Sequence, residues 1–310
     1  MRIRATVAAV SGALALSALV APGAHAAGST GHRADIAKVR EAARAASGRT
    51  AYTGSTGTTT GVPYALDLSF SNVKVNSGWP IVVGTTNHVI APVTFSVKHG
   101  ASVDITADDF LLDVELYRGT FDEPVGVLIG DDFPSCAATS TTTAVCEGTI
   151  DIYPRDHELV NADATTWKAM GLAIALNGVD PTDDDADLSK IGYVEQDKLT
   201  TTRVLRYARL TVNAAPEPVK KGRTVTVTGA LTRANWEDRK YHGYTGQSVQ
   251  LQFRKKNSTT YTTLKTVKTD STGKLKTTTT ATVDGYFRYS FAGTSTTPAL
   301  KATGDYVDVQ

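Results

Sequence analysis

Gly285-Tyr-Phe-Arg-Tyr-Ser-Phe291 is the stretch on which the fold turns. Phe287, Tyr289 and Phe291 fall on one side of an extended chain, and Tyr286, Arg288 and Ser290 on the other. A strict period of two is the pattern of a strand with one buried face. Upstream, Thr224-Val-Thr-Val-Thr-Gly-Ala-Leu231 and Ser248-Val-Gln-Leu-Gln-Phe253 repeat it. Tyr261 to Lys268, Leu275 to Val283 and Tyr306-Val-Asp-Val309 bring residues 223–310 to about seven strands. That is the size and strand number of an immunoglobulin-like sandwich. Val225, Val227, Val249, Leu251, Phe253, Phe287 and Val307 are the expected inward residues.

Residues 62–213 carry the same short alternating runs. Val93-Thr-Phe-Ser-Val97, Ser102-Val-Asp-Ile-Thr106 and Asp113-Val-Glu-Leu-Tyr117 are separated by turn signals such as Lys98-His-Gly100 and Arg118-Gly119. In the third run Val114 and Leu116 oppose Asp113, Glu115 and Tyr117. Trp167-Lys-Ala-Met-Gly-Leu-Ala-Ile-Ala-Leu176 fits a helix or a buried strand by periodicity, and turns at both ends favour a core strand. Trp79 and Trp167 are read as core. The expected fold class is all-β, with two Ig-like antiparallel β-sandwich domains at 62–213 and 223–310. A Pro-rich linker at 214–222 joins them, with Pro216 and Pro218 favouring extended backbone.

The N-terminal part differs. Arg2 and Arg4 precede an uncharged stretch from Val7 to Val20, and Ala24-His25-Ala26 is an A-x-A cleavage site. Residues 1–26 therefore read as a secretory signal cut between Ala26 and Ala27. Its apolar core is too short to span a bilayer, and no later stretch is long and apolar enough. Residues 27–61 read as a short helix, with Ile36, Val39, Ala43 and Ala46 near one face, followed by a Gly/Thr linker.

The 310 residues include 32 basic and 31 acidic side chains, a net charge of +1. That sum conceals an asymmetry: +5 for residues 1–61, −12 for 62–213 and +8 for 214–310. A uniformly basic nucleic-acid binder is excluded. The expected partner is an anionic cell-wall polymer or glycan facing the basic domain. No nucleic acid and, after signal removal, no membrane is expected.

Three stretches carry a family resemblance: Leu210 to Gly222, Gly229-Ala-Leu-Thr-Arg-Ala-Asn-Trp236, and Val283-Asp-Gly-Tyr-Phe-Arg-Tyr-Ser-Phe-Ala-Gly-Thr-Ser-Thr-Thr-Pro298. With Tyr241-His-Gly-Tyr-Thr-Gly246 they resemble a family of secreted actinobacterial proteins built of two β-sandwich domains. The resemblance spans about residues 75–310. It implies export and fold, leaves activity open, and adds the generic calcium-binding label that some members carry.

Among chemistry-bearing residues, Cys136 and Cys146 are the only cysteines, and in an exported chain an isolated pair reads as one disulfide. Calcium is the cofactor candidate, with Asp180, Asp183, Asp185 and Asp187 as ligands from one acidic loop. Asp183-x-Asp185-x-Asp187 matches the opening of an EF-hand loop, but the match then fails, with Leu188 at the turn glycine and Val194 at the bidentate glutamate. The competing reading is a solvated acidic hairpin tip. Trp236, Tyr241, Tyr244 and Arg239 form a candidate ligand platform through stacking and cation–π contact, against which stands packing of Trp236 at the sandwich edge. Asp108-Asp109 and Asp131-Asp132 are acidic pairs of the kind glycoside hydrolysis uses, and equally ordinary turn residues. No zinc-protease His motif or nucleophile elbow occurs.

These features add up to a secreted, non-catalytic binding, adhesion or structural protein of the cell envelope. A calcium-binding extracellular module using the Asp180–Asp187 loop is the alternative. A secreted hydrolase with a non-motif active site is the second alternative.

Overall fold

The computed structural model describes residues 29–46 and 61–310. The expected signal segment, its Ala26/Ala27 cleavage point and the run 47–60 lie outside the described residues. In chain order the elements begin with helix α1 (Ser29–Ala46), β1 (Tyr64–Ala65), β2 (Leu68–Val75), β3 (Ile81–Val83) and β4 (Val89–His99). Then come β5 (Phe110–Gly119), β6 (Pro124–Leu128), β7 (Ser135–Ser140), β8 (Thr143–Ile152), β9 (Thr166–Ala175) and β10 (Gly192–Arg206). These form two sheets. One runs β1-β10-β9-β5-β6 with β3 also on β10, and the other runs β2-β4-β8-β7. Pairing is antiparallel except that β1 and β3 run parallel to β10, a departure from the all-antiparallel expectation.

The two inner faces interdigitate in one apolar core. Phe70, Val93, Phe95, Val97 and Ile150 of the four-stranded sheet meet Leu112, Val114, Leu116, Ala169 and Val204 of the other. The sheets approach closely at Gly171 of β9, where an added Cβ would stand 2.6 Å from the Phe70 ring. The ambiguous run at 167–176 is thus a central strand. Its alternate residues are buried on both sides, because a third layer covers the sheet.

That layer is α1. Eighteen residues of mostly Ala, Arg and Glu are marginal as a free helix in water, so docking holds it. Ile36 and Val39, with Ala42 beside them, pack on Leu111, Leu172, Ile174, Leu176, Leu188 and Ile191. Asp113, Glu115 and Tyr117, on the side of β5 that alternation alone leaves to solvent, are 2%, 3% and 1% exposed.

The second sandwich comprises β11 (Ala208–Leu210), β12 (Asn213–Ala215), β13 (Thr224–Asn235), β14 (Lys240–Gly243) and β15 (Ser248–Lys255). It continues with β16 (Thr262–Lys268), β17 (Lys274–Thr280), β18 (Gly285–Phe291), β19 (Leu300–Lys301) and β20 (Asp305–Val307). On one sheet β13 is flanked by β11 and β12 and by β14 and β17; on the other the order is β16-β15-β18, followed by β19 and β20. β13, β14 and β17, with the short β11 and β12, thus face β15, β16, β18, β19 and β20, an Ig-like arrangement. Every expected inward residue of this domain is buried except Phe253, which packs half-buried against the same core.

Two expectations are corrected. Residues 214–222 are not a free linker: β12 pairs with β13, and Val219, 5% exposed, bridges Val309. The two prolines sit inside a sandwich edge because extended backbone suits a strand end as well as a tether. Trp79, read as core, is 73% exposed. Asn76, Ser77 and Gly78 all take positive φ before it, and this tight reversal turns the tryptophan outward.

Candidate functional site

The expected aromatic–basic platform is broken up by the structure. The β13–β14 hairpin projects from the second sandwich into the first, and Trp236 at its tip is 0% exposed. The indole N–H donates to Gly84 O at 2.9 Å, and the ring joins the core of the first sandwich. Around it Asn161 accepts from Trp236 N at 3.1 Å, and its own N–H donates to Glu237 Oε1 at 2.9 Å. Arg239 donates to Arg155 O at 3.1 Å, and Arg206 Nε to Ala234 O at 2.6 Å. Burial, with Arg233 nearby, lowers the Arg206 guanidinium to about 10. Tyr241 lies beneath Arg209, 3.7 Å from the ring centroid, and meets Tyr207 edge-on. Tyr244 lies separately beneath Arg233 and packs on Phe291. Trp236 is therefore withdrawn as a ligand contact: its apolar body is worth more against the neighbouring core than in water. The hairpin is an interdomain clasp.

The acidic loop does not gather its carboxylates. Asp180 accepts from Thr182 N and Oγ1 at 2.8 and 2.5 Å, and Asp187 from Ser189 N and Oγ at 3.1 and 2.6 Å. These bonds hold both carboxyls below the usual aspartate range. Asp183 offers its backbone carbonyl to Lys38 of α1, and Asp185 is exposed. Among the described residues, no three acidic groups of this loop bring ligand atoms within 4.8 Å of one another. The pattern is that of turn residues satisfying local donors. Likewise Asp109 accepts from Gly178 N at 2.6 Å, a turn contact.

Acidic residues do sit in a buried network under α1. Arg40 bridges Glu115 at 2.9 Å and Glu195 at 2.6 Å, and Arg44 reaches Glu195 at 3.2 Å. Burial disfavours charge on Arg40, but Glu115 and Glu195 together carry its guanidinium above the ordinary value. The disulfide Cys136–Cys146 joins residues directly opposite each other on β7 and β8.

A different surface emerges on the outer face of β15, β18 and β20. The register places Arg254 opposite Tyr286, Gln252 opposite Arg288, and Tyr286 opposite Tyr306. Arg254 stacks 3.9 Å from the Tyr286 centroid, and Arg288 3.6 Å from that of Tyr261. Arg288 Nε donates to Gln252 Oε1 at 2.9 Å, and Arg254 to Ser258 O at 2.8 Å. All of these side chains remain partly exposed. Among the described residues neither guanidinium has a carboxylate within ion-pair distance, whereas Lys256 at the edge pairs with Asp284 at 3.6 Å. The Lys256 ammonium is held above its ordinary value, chiefly by Tyr306. Sequence reading passed over this face because its residues come from separate strands. The available signal was Tyr286 and Arg288 on the outward side of an alternating strand, with Gln252 and Arg254 on another.

No family model and no curated protein matches the chain. Three solved structures match the chain at low similarity. The mouse nectin-like molecule 4 full ectodomain (Ig1–Ig3) is 12% identical with a TM-score of 0.20; the alignment covers 76% of this chain and 63% of that one. Dpr2 Ig1-Ig2 in complex with DIP-Theta Ig1-Ig3 is 11% identical with a TM-score of 0.26, covering 77% and 98%. Titin domains A168–A170 are 8% identical with a TM-score of 0.22, covering 80% and 68%. At these scores the likenesses carry no argument about function.

Proposed function

We propose that this chain is an exported, non-catalytic binding protein of the cell envelope. The second sandwich holds an anionic wall polymer or glycan against the outer face of β15, β18 and β20. The observation that carries the reading is the pair Arg254 and Arg288, each stacked on a tyrosine and neither matched by a carboxylate among the described residues. A guanidinium held flat on an aromatic ring keeps planar donors available for phosphate or carboxylate groups. Gln250 and Gln252 add amide groups suited to sugar hydroxyls. The surplus of +8 over residues 214–310 favours an anionic partner over long range, while the −12 of residues 62–213 disfavours one there.

The test is retention of the whole secreted chain on purified anionic wall polymer at rising salt. Wild type is expected to bind at low salt and release as screening increases. Joint Arg254→Ala and Arg288→Ala substitution is expected to abolish retention with no loss of fold. Equal retention of wild type and the double variant would sink the reading.

A further inference from the structure

At one end of the first sandwich three potential metal ligands converge, on segments next to those that meet the clasp at Gly84 and Arg155. His88 precedes β4, Asp131 lies in the turn after β6, and Asp151 is the last residue but one of β8. One ligand atom from each lies within 4.8 Å of the others. We propose that His88, Asp131 and Asp151 form a site for a divalent transition-metal ion of the zinc class.

Supporting contacts already fix the three side chains. Asp151 is 5% exposed, and its Oδ1 lies 2.7 Å from His88 Nε2. Its Oδ2 accepts from Thr149 Oγ1 at 2.6 Å and from Asp131 N at 3.1 Å. The second bond depends on Gly130, where a Cβ would stand 2.4 Å from Thr149 O and push the turn away. Tyr153 donates its hydroxyl to Asp131 Oδ2, and its ring stacks on the His88 imidazole at 4.1 Å and 10°. Hydrogen bonds to ligand carboxylates and a packed imidazole are the outer-shell features that orient ligands around a metal.

The surroundings favour a cation. Among the described residues, no lysine or arginine lies within ion-pair distance of Asp131, Asp151 or Glu158; the one basic partner is His88 on Asp151. Glu158 is held above the usual carboxyl range by burial and then by Asp131, Asp156 and Asp151.

One imidazole nitrogen with two carboxylates suits zinc-class ions, whereas calcium prefers six to eight oxygens. Ligand atoms around a tetrahedral ion with bonds of about 2.0–2.1 Å stand roughly 3.3 Å apart. The His88–Asp151 pair therefore opens slightly and Asp131 moves inward. The ion takes the place of the Nε2 proton between His88 and Asp151, and the imidazole carries its one proton on Nδ1, so that His88 ligates as the neutral ring. His88 and Asp131 are exposed, so water completes the coordination.

Calorimetric titration of the full secreted chain with zinc chloride is the test, with cobalt absorption as a readout of coordination. One ion per chain is expected, together with a zinc-dependent rise in melting temperature. His88→Ala and Asp131→Asn should each weaken binding at least tenfold. Tyr153→Phe keeps all three ligands and should weaken it about tenfold by releasing Asp131 and loosening the ring stack. His242→Ala removes an exposed histidine paired with Asp238 and should change nothing. Millimolar or weaker zinc binding, wild-type affinity in both His88→Ala and Asp131→Asn, or an equal loss in His242→Ala would overturn the proposal.

Discussion

The outer faces of the two sandwiches begin from similar strand patterns and end differently. On the first, Glu115 and Glu195 project from β5 and β10 and are sealed beneath α1, with Asp113 and Tyr117 buried on the same side of β5. On the second, Arg254, Tyr286, Arg288 and Tyr306 project from β15, β18 and β20 and stay open. Alternation along a strand sets which residues share a face. Whether that face meets water depends on what packs over it. The sealed face satisfies its charges with the helix arginines, and the open face leaves its guanidiniums on tyrosine rings.

The comparison extends to the two aromatic–basic clusters, and the largest expected effect tests their separation. Trp236→Ala removes a fully buried indole from the clasp. It should cost about 3–5 kcal/mol in urea unfolding while leaving polymer retention intact. Loss of retention in a folded Trp236→Ala chain would place the ligand surface at the clasp instead.

Glu195→Ala addresses the sealed face. It leaves Arg40 and Arg44 without their shared partner under the helix and should cost roughly 3 kcal/mol, with α1 becoming protease-sensitive. An unchanged melt would mean that α1 is held by its apolar side alone. Replacing both cysteines by alanine opens a ten-residue separation and should cost about 2–3 kcal/mol on the chain-entropy model. The loss should fall on the first sandwich, and hydrogen exchange in the second should stay as it was.

For the open face, Arg288→Ala alone should weaken polymer binding about tenfold, roughly 1.4 kcal/mol, without moving the melting temperature. A parallel loss of stability would make the face structural. The smallest effect concerns pH. Asp284 is held below the usual aspartate range, first by the Val309 N–H. A depressed carboxyl contributes above its unfolded value and loses that contribution as pH falls through the folded one. Protection of the Val309 amide, taken relative to its intrinsic exchange rate at each pH, should therefore fall below about pH 4 and show no such fall in Asp284→Asn.

Much of the architecture was legible because period-two alternation is local. The strands around Val93–Val97, Thr224–Leu231 and Gly285–Phe291 can be read residue by residue. The Cys136–Cys146 bridge was legible because no other pairing exists. The sites were harder. Trp236 beside Tyr241 and Arg239 looks like a platform in one dimension, and its environment is set by Gly84 and Asn161, far away in the chain. Asp180 to Asp187 looks like a ligand loop, and local Ser and Thr donors take up two of its carboxylates. His88, Asp131 and Asp151 carry no motif, since a turn, a second turn and a strand end supply one residue each.

By itself, the order of residues determined the strands, their inward sides, the disulfide and the opposite charges of the two sandwiches, because each follows from neighbours in the chain or from counting. Tertiary structure alone decided that a helix seals the acidic sheet, that Trp236 bridges the sandwiches, and that arginines and tyrosines from separate strands meet on one open face. Those outcomes depend on which surfaces are removed from water together, and that is a property of packing across long stretches of chain.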